Sequence, residues 1–211
     1  MGSSKDSEKT IAKLIEAAGQ LFSNKGFKGV TVRDIAHEAE VPLSAINYHF
    51  RTKEMLYREV LLEACKTNSI SPKEQEQLLK LEPRESLFIL VNESLKANNQ
   101  QKMPIWQSVI LAREYWAPSQ VFEEVVLNYW EPQTNFLLNV IGTAVGKASS
   151  EKQVRFAGIC LICLIDTFSH YGQFIESITP GLEKEFPKND WLVCQIVRVV
   201  LDAANGEEEN S

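Results

Sequence analysis

The sequence lacks the segments that several large classes of protein require. Its longest apolar run, residues 157–165, is far shorter than the roughly twenty residues of a membrane-spanning helix. It has no secretory signal peptide, no glycine-rich phosphate loop and no nucleophile elbow. No stretch alternates apolar and polar residues as a half-buried strand does. We therefore expect a cytoplasmic, all-α protein that is not an enzyme and makes no contact with a membrane.

Histidine and cysteine are scarce, with three and four residues. Cys160 and Cys163 have C-x-x-C spacing, but no second Cys or His pair accompanies them, and thiols in an apolar helix usually pack in the core. Asp166 and His170, four residues apart on one helix face, are the remaining catalytic alternative. We expect no catalytic residues, no metal site and no cofactor.

Residues 31–53 are the most informative part of the chain, because they describe two short helices joined by a tight turn. Thr31 and Asp34 can form a capping box, so one helix begins here. Pro42 is suited to the first turn of a second helix. Ile46 and Phe50 hold that helix to the core, while its outer face carries no acid and suits the major groove of DNA. The pattern predicts a helix-turn-helix.

The flanking segments extend this small domain in both directions. Apolar residues at helical spacing over residues 11–22 predict a first helix, and Gly26 is its expected C-terminal stop. A fourth helix is expected from Lys53. We expect the arm that carries Lys5 and Lys9 to be disordered in the absence of DNA.

The rest of the chain shows helical periodicity throughout. Residues 68–83 form a polar connection with room for one or two short helical turns, and residues 206–211 are an expected disordered tail. The predicted helices span residues 84–98, 103–115, 119–144 with an interruption at Pro132, 151–174 and 190–204. The expected fold is an N-terminal three-helix DNA-binding domain with a larger C-terminal helical domain.

Three motifs follow one another in a single register: A-x-x-L-F-x-x-x-G-F at residues 18–27, T-V-x-D-I-A at 31–36 and Y-H-F-x-T-K-E-x-L at 48–56. Across residues 10–61 the chain resembles the DNA-binding domain of the TetR family of bacterial transcriptional regulators. The segments REYWAPSQVF and INYHF are also similar to the CecR subgroup. The resemblance implies a DNA-binding domain at residues 1–52 and a domain for effector binding and dimerisation at 53–205.

The same resemblance implies roles for eight residues in DNA binding. The phosphate contacts would be Thr31, Tyr48, His49 and Lys53, and the base-reading or groove-wall residues would be Arg33, Leu43, Ser44 and Asn47. Asn47 could pair with adenine or bond a phosphate, and Arg33 could instead be a solvated arginine. Glu40 occupies a turn position where the family usually has glycine or another residue that tolerates left-handed geometry, so we expect the turn to be slightly rebuilt.

The central helices are rich in aromatic residues, which suits an apolar or aromatic small-molecule effector. The candidate ligand-binding residues are Trp106, Ile110, Arg113, Trp116, Phe122, Trp130, Phe136, Phe168 and Tyr171. Such a stripe can equally be core packing. Arg113 is the polar residue of most interest, with a structural ion pair to Glu114 or Asp166 as its alternative.

The last two long helices are the candidate dimer interface, because family members pair through a four-helix bundle. The candidate residues are Val154, Ile159, Ile162, Ser169, Trp191, Gln195, Ile196 and Val199. Each stripe could also face the core of its own protomer. A homodimer would place two recognition helices in successive major grooves.

The charge distribution fits this division. Residues 1–64 contain nine basic and nine acidic residues, so the net charge of −6 belongs to the remainder, and residues 41–53 contain no acid. The predicted function is a ligand-responsive repressor that binds a palindromic DNA operator as a homodimer. The alternative is a helical small-molecule-binding protein that has lost sequence-specific DNA recognition.

Overall fold

The computed structural model describes residues 2–67, 69–99, 104–170, 172–181 and 190–206, and within these ranges it contains helices and no strand. The all-α prediction is confirmed. A π-helical segment at Glu123–Leu127 precedes the eighth helix. The α-helices are α1 Gly2–Lys25, α2 Val32–Glu38, α3 Leu43–His49, α4 Lys53–Thr67, α5 Pro72–Leu78, α6 Pro83–Asn99, α7 Ile105–Trp116, α8 Asn128–Val145, α9 Lys152–His170, α10 Gly172–Ile178 and α11 Asp190–Asn205.

The first helix is longer than the sequence pattern indicates. It begins at Gly2, so Lys5 and Lys9 are helical and the expectation of a disordered arm is wrong. No proline or glycine interrupts residues 3–18, and the Thr10 hydroxyl donates to the Asp6 carbonyl at 2.9 Å within the first turns. Of the disordered tail predicted at residues 206–211, residues 207–211 lie outside the described residues.

Two other boundaries differ from the predicted ones. The chain remains helical through Pro132, and its irregular hydrogen bonding lies upstream, in the segment Glu123–Leu127. The Asn128 side-chain amide donates to the Glu124 carbonyl there. The predicted helix 151–174 is two helices, α9 and α10.

The chain divides into two compact units: unit 1 comprises Met1–Ser69 and Met103–Glu131, and unit 2 comprises Ile70–Lys102 and Pro132–Ser211. Helices α4 and α7 and the π-helical segment therefore belong to the same unit as α1, α2 and α3. The predicted boundary after residue 52 is a division by function rather than by packing, and it stays a prediction.

Unit 1 has one apolar core, to which each of its helices contributes buried side chains. Phe22 of α1, Ile35 of α2, Ile46 of α3, Leu56 of α4 and Ile110 of α7 are all buried there. Burying a side chain of this size stabilises the fold by about 1.5–3 kcal/mol. The short helices α2 and α3 have seven residues each and depend on this packing, since isolated helices of that length are marginal in water.

Unit 2 is built around α6, α8, α9 and α11. Its core includes Leu87, Ile141, Leu161 and Val200, all fully buried. A cavity of about 250 Å³ lies between α6 and α11. Among the described helices, none has by itself the length and apolar composition of a membrane span, and α9 and α10 have them only as a pair.

Candidate nucleic-acid interface

Helix α2 begins with the predicted capping box. The Thr31 hydroxyl accepts from the Asp34 amide at 3.2 Å, while the Asp34 carboxylate accepts from the Thr31 amide at 2.8 Å and the Thr31 hydroxyl at 2.7 Å. These bonds from the Thr31 side chain and backbone hold the pKa of Asp34 below its usual value. The hydroxyl already donates its one proton, so Thr31 can donate to a phosphate only by giving up the Asp34 bond.

The turn between α2 and α3 keeps its left-handed geometry, so the expectation of a rebuilt turn is wrong. Glu40 has a φ of 54°, in the left-handed region that favours glycine. Its backbone amide donates to the His37 carbonyl at 3.1 Å, and the next amide, that of Val41, donates to the Ala36 carbonyl at 3.0 Å. Pro42 is the N-cap, and α3 begins one residue later, at Leu43.

Helix α3 presents two contrasting faces. Ile46 is fully buried and Phe50, which follows the helix, is nearly so, as predicted. The opposite face exposes Leu43, Ser44, Asn47 and Tyr48, and Tyr48 is 81% exposed. A short helix with a fixed inner face and an outer face of hydrogen-bonding and apolar groups has the form of a recognition helix.

The end of α3 adds an aromatic stack and a second strained residue. The His49 ring is half-buried and lies 4.9 Å from the Tyr48 ring centroid and 6.2 Å from that of Phe50. Arg51 is exposed at φ 62°, and Arg33 on α2 is also exposed. Neither arginine has an ion-pair partner among the described residues. Sequence reasoning missed Arg51, although a basic residue just after a short helix without acids is a usable signal.

Lys53 is held inside unit 1 rather than extended into solvent. Its ammonium donates to the carbonyls of Phe27 and Val30, both at 3.0 Å, and lies 4.2 Å from the centroid of the Phe27 ring. Two of its three N–H groups are therefore used within the protein. The predicted phosphate contact of Lys53 stays a prediction, and it would depend on the third N–H.

The Arg113 side chain donates hydrogen bonds to the C-terminal end of α1. Its Nε donates to the Ser23 carbonyl at 2.7 Å and its Nη2 to the Asn24 carbonyl at 3.1 Å. Neither of the predicted alternatives, a pair with Glu114 or with Asp166, accounts for these bonds. Arg113 therefore caps the C-terminal turn of α1, where backbone carbonyls carry partial negative charge.

A buried polar group lies next along α7. Glu114 is nearly fully buried; its carboxylate accepts from the Tyr57 hydroxyl and, at 2.9 Å, from the Ser119 amide. Burial and the hydrogen bond to Glu114 raise the pKa of Tyr57 well above its usual value. On the same helix as Tyr57, Arg58 forms an ion pair with Glu124 at 2.8 Å. These contacts tie α4 to α7 and to the π-helical segment.

The predicted ligand-binding residues are divided between the two units. Trp106, Ile110, Arg113, Trp116, Phe122 and Trp130 belong to unit 1, and Phe136 and Phe168 belong to unit 2. Trp106 and Ile110 are buried in the core, where the Trp106 indole donates to Glu16 at 2.9 Å, and Trp116 is 90% exposed. None of these eight lines the cavity between α6 and α11. Tyr171 lies outside the described residues, and the ligand roles stay predictions.

The predicted dimer residues also differ in accessibility. Val154 and Ile196 are buried in the core of unit 2 and cannot present their side chains to a partner, so for these two the own-core alternative applies. For the other six residues the dimer role stays a prediction. The exposed apolar members are Ile159, Ile162, Trp191 and Val199, and the sequence pattern missed Phe156, which is 59% exposed beside them on α9.

The cysteines are not uniformly core residues. Cys65 is buried, which raises the pKa of its thiol, but Cys163 and Cys194 are exposed. The expectation that Cys163 packs in the core is therefore wrong, since it points away from α9's buried face. Among the described residues no three His, Cys, Asp or Glu side chains lie close enough to hold a metal ion.

Two family models match this chain in succession. The N-terminal domain of bacterial regulatory proteins of the tetR family matches residues 14–60, and the C-terminal domain of the HTH-type transcriptional dual regulator CecR matches residues 83–208. Proteins of this family are transcriptional regulators rather than enzymes. The predicted absence of enzymatic activity is confirmed, and the catalytic alternative of Asp166 and His170 is removed.

Individual relatives agree with these matches. The chain is 38% identical over 82 residues to the probable HTH-type transcriptional regulator YttP of Bacillus subtilis, a match that covers 34% of this chain and 40% of YttP. The hemolysin II transcriptional regulator HlyIIR has the same fold, with a TM-score of 0.63 and 20% identity over 93% of this chain and 99% of its own. NalD of Pseudomonas aeruginosa also shares the fold, with a TM-score of 0.61 and 19% identity over 94% and 97% of the two chains. The chain therefore belongs to the TetR family of bacterial transcriptional regulators, with a C-terminal domain of the CecR type.

Proposed function

We propose that this regulator is a ligand-responsive repressor that binds a palindromic operator as a homodimer. One observation carries the proposal: α3 exposes Leu43, Ser44 and Asn47 on a helix that Ile46 and Phe50 fix to the core of unit 1. A fixed helix with such an outer face can hold its side chains against base edges in one register. NalD, which shares the fold, is a secondary repressor of a multidrug efflux pump.

Within the operator complex, the residues of α3 divide by chemistry. Asn47 can bond adenine N6 and N7, and Leu43 can contact a thymine methyl group. Tyr48, His49 and the unpaired Arg51 would contact phosphates. Because the Lys53 ammonium and the Thr31 hydroxyl are largely used within the protein, we give these two residues a smaller part in phosphate binding than the sequence pattern does.

Dimerisation would use the exposed apolar stripes of α9 and α11. Ile159 and Phe156 on α9, with Trp191 and Val199 on α11, are exposed although their helices are buried on the opposite side. Apolar patches of this kind usually mark an interface. A two-fold dimer would present two recognition helices, which must lie roughly 34–36 Å apart to enter successive major grooves.

The effector is proposed to be a small apolar or aromatic molecule. Arg113 is used for capping, so it is not the polar group that we expect to recognise the effector. Gln107, buried between Trp106 and Ile110 on α7, has a side-chain oxygen without a hydrogen-bond partner among the described residues. An unsatisfied buried acceptor costs about 1–3 kcal/mol, which an N–H or O–H group of a ligand would recover.

The test is selection of duplexes from a random pool, followed by fluorescence anisotropy across a salt series. We expect one palindromic site, with affinity that falls steeply with salt, and Asn47→Ala should relax base selectivity at one position per half-site. Arg84→Met, an exposed change on α6, is the control. In vitro transcription from a promoter that contains the site should then fall as protein is added. Failure to enrich any sequence would favour the alternative, a small-molecule-binding protein without DNA recognition.

A further inference from the structure

Two cationic side chains from later helices, Arg113 and Lys53, donate hydrogen bonds to the end of α1 and to the connection between α1 and α2. At the end of α1, the carbonyls of Ser23 and Asn24 accept from Arg113. A few residues later, the carbonyls of Phe27 and Val30 accept from Lys53. All four bonds join segments that are distant in sequence, and all four end on backbone atoms of residues 23–30.

The local sequence is suited to receive these cations. The last four carbonyls of α1 have no partner within the helix, and the helix dipole makes that end negative. Gly26, at φ 73°, ends the helix, and a Cβ there would make only an ordinary contact, 3.6 Å from the Arg113 Nη1 atom. The positive φ is therefore the reason that this position favours glycine.

The connection packs against α1 and α4 and leads directly into α2, so a movement of the connection would move α2 as well. The Phe27 ring lies 5.8 Å from the ring of Phe22 on α1 and 5.0 Å from the ring of Tyr57 on α4. Val30 is buried, and the capping box of α2 follows directly at Thr31. A displacement of residues 23–30 would therefore move the start of α2, and α3 with it.

Arg113 belongs to the part of the chain that matches the CecR C-terminal domain, yet it packs within unit 1. We infer that Arg113 is a positioning residue for DNA recognition: its bonds to Ser23 and Asn24 fix the orientation of α2 and α3 without contact to DNA. A ligand or variant that moves α7 would act on the recognition helix through these two bonds. This inference rests on the proposed operator binding.

The experiment compares Arg113→Met with wild type on two duplexes, the selected operator and a random sequence, over a salt series. A misdirected recognition helix loses base readout but keeps the sequence-independent attraction to phosphates. We expect operator affinity to fall about tenfold, as for the loss of a charge-assisted hydrogen bond, with random-duplex affinity and the salt slope unchanged. Arg84→Met should leave both affinities unchanged.

Arg113→Lys guards against an unfolded variant. A lysine can reach one carbonyl but lacks the forked donors for two, so its operator affinity should lie between those of wild type and Arg113→Met. Thermal melting of each variant gives the folded fraction. Equal losses on both duplexes, a salt slope lower by about one, or unchanged operator affinity would each overturn the inference. Failure of wild type to select any site would overturn the proposed function instead, which separates the two outcomes.

Discussion

The interactions inside unit 1 differ in kind from those inside unit 2. In unit 1, polar bonds join segments far apart in sequence: Trp106 to Glu16, Arg113 to the end of α1, and Tyr57 to Glu114. In unit 2 the described long-range polar bonds include those of Gln133 with the Ile70 backbone and of Lys147 with the Ala204 carbonyl, and the core that α6, α8, α9 and α11 share is apolar.

The difference suits the role proposed for each unit. A hydrogen bond has a preferred direction, so a unit tied by such bonds holds its helices in one orientation, as base reading requires. Apolar contact is non-directional and can extend across a surface to a second protomer. Unit 1 is therefore expected to be sensitive to the loss of single polar atoms, and unit 2 to the loss of apolar volume.

The largest effect should come from the core of unit 2. Leu161 is fully buried and its neighbour Ile162 is 37% exposed, so the two residues test opposite faces of α9. Leu161→Ala should lower the free energy of unfolding by about 2–5 kcal/mol because it leaves a cavity. Ile162→Ala should change it much less but weaken self-association. Denaturant titration at fixed protein concentration and sedimentation equilibrium give the two quantities; equal stability losses would contradict the assigned faces.

The next largest effect should come from removing one oxygen in unit 1. Tyr57→Phe leaves the buried Glu114 carboxylate with the Ser119 amide, so we expect a loss of about 2 kcal/mol in unfolding free energy at pH 7. Because the pKa of Tyr57 is raised by folding, the wild-type contribution is complete below the unfolded value near 10 and is lost as pH rises above it.

Urea denaturation at pH 7 and at alkaline pH measures both parts of this expectation. Wild type should lose stability as pH rises above about 10, and Tyr57→Phe should show a shallower loss over the same range. Tyr48→Phe is the matched control, because Tyr48 is exposed and its hydroxyl makes no comparable bond among the described residues. Parallel pH profiles for wild type and Tyr57→Phe would contradict the role of this hydroxyl.

The local features of the reading helices could be predicted from sequence because short-range chemistry decides them. The capping box at Thr31 and Asp34 and the buried Ile46 follow from residue types and helical spacing within a few residues, whereas that spacing does not show that Glu40 keeps the left-handed turn. The partners of Lys53 and Arg113 could not be predicted, because their acceptors lie more than twenty residues away and are backbone atoms with no sequence signature. Helical spacing also does not separate the buried apolar residues of α9 and α11 from the exposed ones, because burial depends on helices that are distant in sequence.

Lys53 provides a third way to test the polar ties of unit 1. Lys53→Met keeps the apolar stem but removes two bonds to carbonyls and the contact with the Phe27 ring, so unfolding free energy should fall by about 1–2 kcal/mol. The salt slope of operator binding should change little. Chemical denaturation and anisotropy measure the two; a slope lower by about one with stability unchanged would show that Lys53 mainly binds phosphate.

The smallest effect concerns the two strained residues that flank α3. Glu40 and Arg51 both have positive φ, a conformation that costs a residue with a side chain about 1–2 kcal/mol. Glycine avoids this cost, but its more flexible unfolded state offsets part of the gain in stability. Glu40→Gly and Arg51→Gly should each raise unfolding free energy by about 0.5–1 kcal/mol. Their effects on DNA binding should differ in sign. Glu40→Gly removes an acid beside the recognition helix and should strengthen binding, whereas Arg51→Gly removes an unpaired cation and should weaken it and lower the salt slope. If both variants gain stability but bind DNA with equal affinity, the strain at these positions belongs to folding alone and Arg51 is not part of the interface.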